Sequence, residues 1–194
     1  MKGKNKNLYC LTVTALLLAL GMVLPFLTGQ IQSIGKFISP LHIPALVCGL
    51  TCGWSWGMGL GFVLPILRGL IFGMPPFPNA ALPMAFELAA YGLLSGLLYP
   101  LFLRLLKQKT HLPALLCALL CAMIGGRIVG GAAKAALIAL GVIGSKSAFT
   151  FAAFLTSYFA ETAIGAAIHA VLVPAIVLSL EKAKLSPLFM GRKN

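Results

Sequence analysis

The sequence predicts an all-α integral membrane protein, a single domain over residues 1–194 built as a bundle of six transmembrane helices with both termini in the cytoplasm. Three observations predict it. Of 194 residues, 60% are hydrophobic and 9% charged, whereas about a quarter of a soluble domain is charged. The apolar residues fall into six runs, most near the roughly 20 residues that a span needs. The basic residues gather in gaps between runs, as Lys and Arg do on the cytoplasmic side of a membrane.

The first run, Leu8–Leu27, follows Lys2, Lys4 and Lys6. It is too long for the apolar core of a signal peptide and no A-x-A site follows it, so a retained span is expected. The second, Phe37–Gly53, is short, and Pro40 and Pro44 shorten its regular part further. Trp54–Phe72 and Ala80–Leu103 form the third and fourth. Leu112–Leu140 and Thr150–Leu180, the fifth and sixth, are long enough to tilt.

Charge decides whether 37–72 is one element or two. With six spans, the polar gap Arg104–Lys109 falls inside, together with Lys2, Lys4, Lys6, Lys182, Lys184, Arg192 and Lys193. The external loops then keep only Lys36 and Lys146. Five spans would turn the Arg104 gap outward, against the positive-inside rule.

Small residues recur at four-residue spacing in Gly49/Gly53/Gly57/Gly61, Gly92/Gly96 and Gly126/Gly130. That spacing gives a helix one smooth face and lets backbones approach closely, so a tight bundle is expected. Cys48/Cys52 and Cys117/Cys121 also lie at i,i+4, with Cys10 apart; they are expected to fill space rather than form disulfides or hold a metal.

Five ionisable residues lie inside the spans: Arg68, Glu87, Arg127, Lys134 and Glu161. A charge at mid-bilayer costs about 2.5–3.5 kcal/mol or more, so these should face inward and meet partners or a ligand. At about 1.5 Å per residue, Arg68 and Glu87 come to similar depth in the outer half, and Arg127 and Glu161 near the midplane. Lys134 stands two turns above Arg127. Tyr91 shares a face with Glu87, and Tyr158 with Glu161. The candidate substrate-binding residues are therefore Arg127, Lys134, Glu161, Tyr158, Glu87, Arg68, Tyr91 and His42. Three cations against two acids would suit an anionic small molecule. A structural assignment stands beside this one: Arg68–Glu87 and Arg127–Glu161 as interhelical pairs, with Lys134 snorkelling. His42 and His169 carry less weight, since a lone imidazole in a bundle usually finds a backbone carbonyl.

The loop Gly73–Asn79, stiffened by Pro75, Pro76 and Pro78, is a candidate lid or a rigid connector, and Thr28–Ser39 a candidate gate. The formal charge of +12 sits at span flanks with no aromatic-basic platform, so nucleic acid is not an expected partner. Gly141–Ser147 lacks the Gly-Lys of a phosphate loop, and no H-E-x-x-H or G-x-S-x-G occurs, so neither an ATPase nor another enzyme is expected. No metal or cofactor is expected in this chain.

The run from Leu41-His-Ile-Pro44 through Cys48–Gly53, Gly61–Arg68, Phe72–Pro75, Met84–Gly92 and Gly125–Val129, with Ala15-Leu-Leu-Leu-Ala19, resembles the substrate-binding S components of energy-coupling factor (ECF) vitamin transporters. The resemblance covers nearly the whole chain. It implies a multi-pass protein of the bacterial cell membrane that captures a vitamin or micronutrient from outside. It also implies docking through Ala15 and Ala19 onto a coupling subunit with two ATPases, which use the ATP, and toppling in the bilayer to deliver the cargo. An autonomous ion-coupled carrier using Glu87 or Glu161 and a non-transport membrane scaffold are the competing expectations.

Overall fold

The structure, a computed structural model, describes residues 3–27, 40–106, 111–144, 150–160 and 162–183. Among them there is no strand. The helices are α1 (Gly3–Leu27), α2 (His42–Cys52), α3 (Trp54–Phe72), α4 (Ala81–Leu105), α5 (His111–Ala139), α6 (Phe151–Leu155) and α7 (Ala163–Lys182), with a π-helical turn over Thr156–Ala160 between the last two. Five apolar segments are long enough to cross a membrane, and α2 is a sixth, shorter helix. The outward surface carries large apolar side chains such as Leu20, Phe62, Ile71, Leu101, Ile128 and Val171, while Arg68, Glu87, Arg127, His42 and His169 are buried. Apolar outside and charged inside is the arrangement that lipid demands.

The break between the second and third runs falls at Gly53, whose φ of 101° sets its backbone where an L side chain is strained. The polypeptide therefore makes two helices, α2 and α3, as the charge argument expects. All of α2 is buried, enclosed by α1, α3, α4 and α7. A helix apolar on every side has no face to give to solvent.

Bare backbone holds the centre together. A methyl added at Gly92 would overlap the backbone of Gly57, one at Gly49 would meet the Gly92 carbonyl, and one at Gly96 the backbone of Trp54. The small-residue spacing thus brings α2, α3 and α4 into main-chain contact, and α4 also packs along α5. Leu46, Leu50, Tyr99, Leu115, Leu119, Val173 and Val177 fill the rest of that core. Cys10, Cys48 and Cys52 pack with Leu60 between α1, α2 and α3; Cys117 and Cys121 are exposed, and all five thiols are free.

One end of the bundle carries a polar tie. Glu181 of α7 accepts the Tyr99 hydroxyl (2.6 Å) and meets Nδ1 of His111 (3.0 Å), linking α7 to α4 and to the start of α5. Tyr99 is fully buried, and a buried hydroxyl deprived of its acceptor costs about 1–3 kcal/mol. Glu181→Ala is expected to lower the thermal midpoint in detergent, with Glu181→Gln recovering part of it. An unchanged midpoint in Glu181→Ala would show that the tie is not structural.

Candidate functional site

Arg68 and Glu87 do not meet. They sit more than a turn apart along the α3–α4 seam, where Gly61 meets Leu88 and Gly69 meets Ala81, and on different sides of the bundle. α3 and α4 touch along Gly57/Gly92 and Gly61/Leu88, which turns Arg68 toward α1 and Glu87 toward α2 and α5. The Arg68 guanidinium donates to the Met22 carbonyl and lies 5.1 Å from the Phe26 ring centroid and 5.2 Å from that of Phe72. It is 1% exposed, and among the described residues nothing accepts from its Nη2. Arg68 therefore fastens α1 to α3 through a carbonyl and two cation–π contacts, and it is not part of the cluster around Glu87. The surplus positive charge goes with it. The remaining intramembrane charges are two bases, Arg127 and Lys134, and two acids, Glu87 and Glu161, so the case for a simple anion weakens.

Glu87 is the centre of a polar cluster. Its Oε1 accepts the Tyr91 hydroxyl at 3.0 Å and lies 3.5 Å from Nε2 of His42. The His42 ring packs on Tyr91, centroids 5.0 Å apart, and stacks on His169 at 5.7 Å with an interplanar angle of 28°. Helices α2, α4 and α7 each contribute one imidazole or acid to this group. Glycines on α5 make room for it. The Tyr91 ring occupies the space a side chain at Gly126 would need, and the Glu87 side chain does the same at Gly130, where an added Cβ would stand 2.8 Å from the Glu87 Cβ.

The aromatic wall comes from the sixth segment. Here the helix changes to a π-helical turn at Thr156–Ala160 before α7 resumes at Ala163. A change of helical register leaves backbone carbonyls that need other donors, since lipid offers none. Thr162 donates its hydroxyl to the Tyr158 carbonyl at 2.7 Å, and Arg127 Nη2 donates to the Thr162 carbonyl at 3.3 Å. Tyr158 in turn donates to the Gly130 carbonyl at 3.2 Å. The Arg127 guanidinium lies 5.5 Å from the Phe159 ring centroid, and the Phe154 ring packs where a side chain at Gly131 would be. Tyr158 and Phe154 are 5.3 Å apart.

Of the eight residues predicted for the site, the structure brings Glu87, Tyr91, His42, Arg127 and Tyr158 together along one strip of α5. Lys134, two turns beyond Arg127, is half-buried. Arg68 is placed elsewhere, and Glu161 lies outside the described residues, as does the candidate gate Thr28–Ser39. The sequence reading undervalued His169 and missed Phe154 and Phe159; the close spacing of aromatics along 151–159 in the sequence was the available signal. The loop Gly73–Asn79 is hooked to the far end of α5, where Asn79 Oδ1 accepts the Gly144 N–H at 3.1 Å.

The bundle thus encloses an acid, a guanidinium and two imidazoles beside a π-helical turn. Residues 10–177 match the family described as ECF transporter, substrate-specific component, and the chain belongs to that family. It is thus a substrate-binding transport subunit and not an enzyme. No curated protein and no solved structure matches it.

Proposed function

We propose that this chain is the solute-capturing subunit of an ATP-driven importer in a bacterial cell membrane. It takes a vitamin or related micronutrient from outside and hands it to a module of one coupling subunit and two ATPases. Both termini face the cytoplasm, and the Glu87 cluster lies in the outer half of the bilayer. The chain carries no cofactor of its own; ATP is used by the partner subunits. The observation that carries this reading is the enclosed cluster of Glu87, Tyr91, His42 and Arg127 in a largely apolar bundle. Burying such groups is costly unless they are satisfied or used.

The docking side of the reading rests on α1. Ala15 and Ala19 lie one turn apart and are both exposed, flanked by exposed Leu11, Leu16 and Leu20. A small-residue face of this kind lets a partner helix approach closely. Replacing Ala15 or Ala19 with tryptophan is expected to abolish uptake in cells that express the full transporter, while the purified variant binds solute with unchanged affinity. Full uptake by a normally expressed variant would contradict docking at this face.

A further inference from the structure

We propose that the solute is a planar heteroaromatic molecule that gives an N–H to Glu87 and offers an acceptor to Arg127; this rests on reading the Glu87 cluster as the solute site. Glu87 and Arg127 are 8% and 9% exposed, and each keeps hydrogen-bonding capacity that the protein does not use. Oε1 of Glu87 takes both protein contacts, Tyr91 and His42. Among the described residues nothing donates to Oε2, a strong acceptor that is not fully enclosed and so stays open to a ligand. A guanidinium has five N–H donors; Arg127 uses Nη2 on the Thr162 carbonyl and also interacts with the Tyr91 hydroxyl, and further donors are left over. Among the described residues no carboxylate pairs with it.

The glycine strip of α5 places these two groups beside a set of rings. Glu87 lies over Gly130, Tyr91 over Gly126 and Phe154 over Gly131, while Tyr158 reaches the Gly130 carbonyl and Phe159 lies against Arg127. His42, stacked on His169, packs on Tyr91 and lies beside Glu87. Flat side chains of this kind recognise flat solutes, because offset stacking adds to the area buried. A purely anionic, aliphatic solute fits poorly. Its charge would gain from Arg127 but be repelled by Glu87 in a medium of low dielectric, and its chain would use none of the ring faces. A heteroaromatic edge with a donor beside an acceptor satisfies both groups at once.

The test uses the full chain purified in detergent from cells grown on rich medium. Solute released on denaturation is characterised by mass and ultraviolet spectrum, and the emptied protein is titrated with adenine, cytosine, lumazine and the aliphatic acid glutarate. The expected result is a released solute with the spectrum of a conjugated ring. At least one ring probe should bind about tenfold or more tightly than glutarate, and both Glu87→Gln and Arg127→Gln should weaken that probe by about tenfold or more. A saturated released solute, tighter binding of glutarate, or ring binding unchanged in both variants would overturn the proposal while leaving a solute site in place. Wild-type protein that releases nothing and binds no probe would overturn the solute-site reading, and the proposal with it.

Discussion

Gly92→Leu is expected to prevent the bundle from assembling. The backbones of α3 and α4 touch at Gly57 and Gly92, and the Gly49 position of α2 also opens onto the Gly92 carbonyl. A leucine at 92 would have to push main chain, not a side-chain tip, out of the way. Ordinary overpacking of a core costs about 1–3 kcal/mol. Separating three helices that are packed at backbone distance should exceed the roughly 4–5 kcal/mol that marks an exceptional substitution. The measurement is the monodisperse fraction and thermal midpoint after detergent extraction, with Gly59→Leu as the control. A side chain at Gly59 meets nothing within 4 Å, so that variant should behave as wild type. Equal loss in both would mean that leucine is poorly tolerated anywhere on α3 and α4, not that the glycine junction is special.

The second large effect concerns binding. Glu87→Ala removes the acceptor for the Tyr91 hydroxyl, the partner of His42 and the free oxygen Oε2 together. Hydrogen bonds to charged groups are worth about 1.5–3 kcal/mol each, so the native solute should bind on the order of 100-fold more weakly. Binding within a few-fold of wild type, in protein with an intact fold, would remove Glu87 from the site. Gly130→Ala provides a milder version, because its methyl would crowd the Glu87 side chain without deleting any polar group. A smaller loss of affinity is expected there, with the thermal midpoint reporting how far Glu87 can yield.

Most of the fold was legible because lipid imposes simple rules on sequence. Run length and punctuation place Trp54–Phe72 at its observed bounds, and Ala80–Leu103 and Leu112–Leu140 within two residues of α4 and α5. Glycine spacing foretold the close α2–α3–α4 junction. Two features were not legible. The sixth run reads as one continuous apolar segment, yet its helix changes from α to π over Thr156–Ala160. Apolar content says nothing about hydrogen-bond register, and only the Thr, Ser and Tyr in that stretch hinted at it. Arg68 was paired with Glu87 from depth alone. Counting residues fixes neither the register of two neighbouring helices nor the azimuth of a side chain; both depend on which helix faces touch, and the glycine contacts decide that. His169 illustrates the same limit, since its neighbour His42 is more than a hundred positions away in the chain.

The N-terminal helix ties these points to transport. It is fastened to α3 by Arg68, through the Met22 carbonyl and the rings of Phe26 and Phe72, and it presents Ala15 and Ala19 on its outer side. Arg68→Gln should therefore loosen α1 and lower the thermal midpoint with little direct effect on solute affinity, the opposite profile to Glu87→Gln. Loss of affinity without loss of stability would return Arg68 to the binding site.

The most direct measurement is solute uptake into proteoliposomes that contain this chain alone or together with its coupling subunit and two ATPases. Uptake should require all the subunits and ATP, and the chain alone should only bind. Accumulation by the chain alone under a proton or sodium gradient would contradict the account, and would make it an autonomous carrier with Glu87 or Glu161 as the coupling acid.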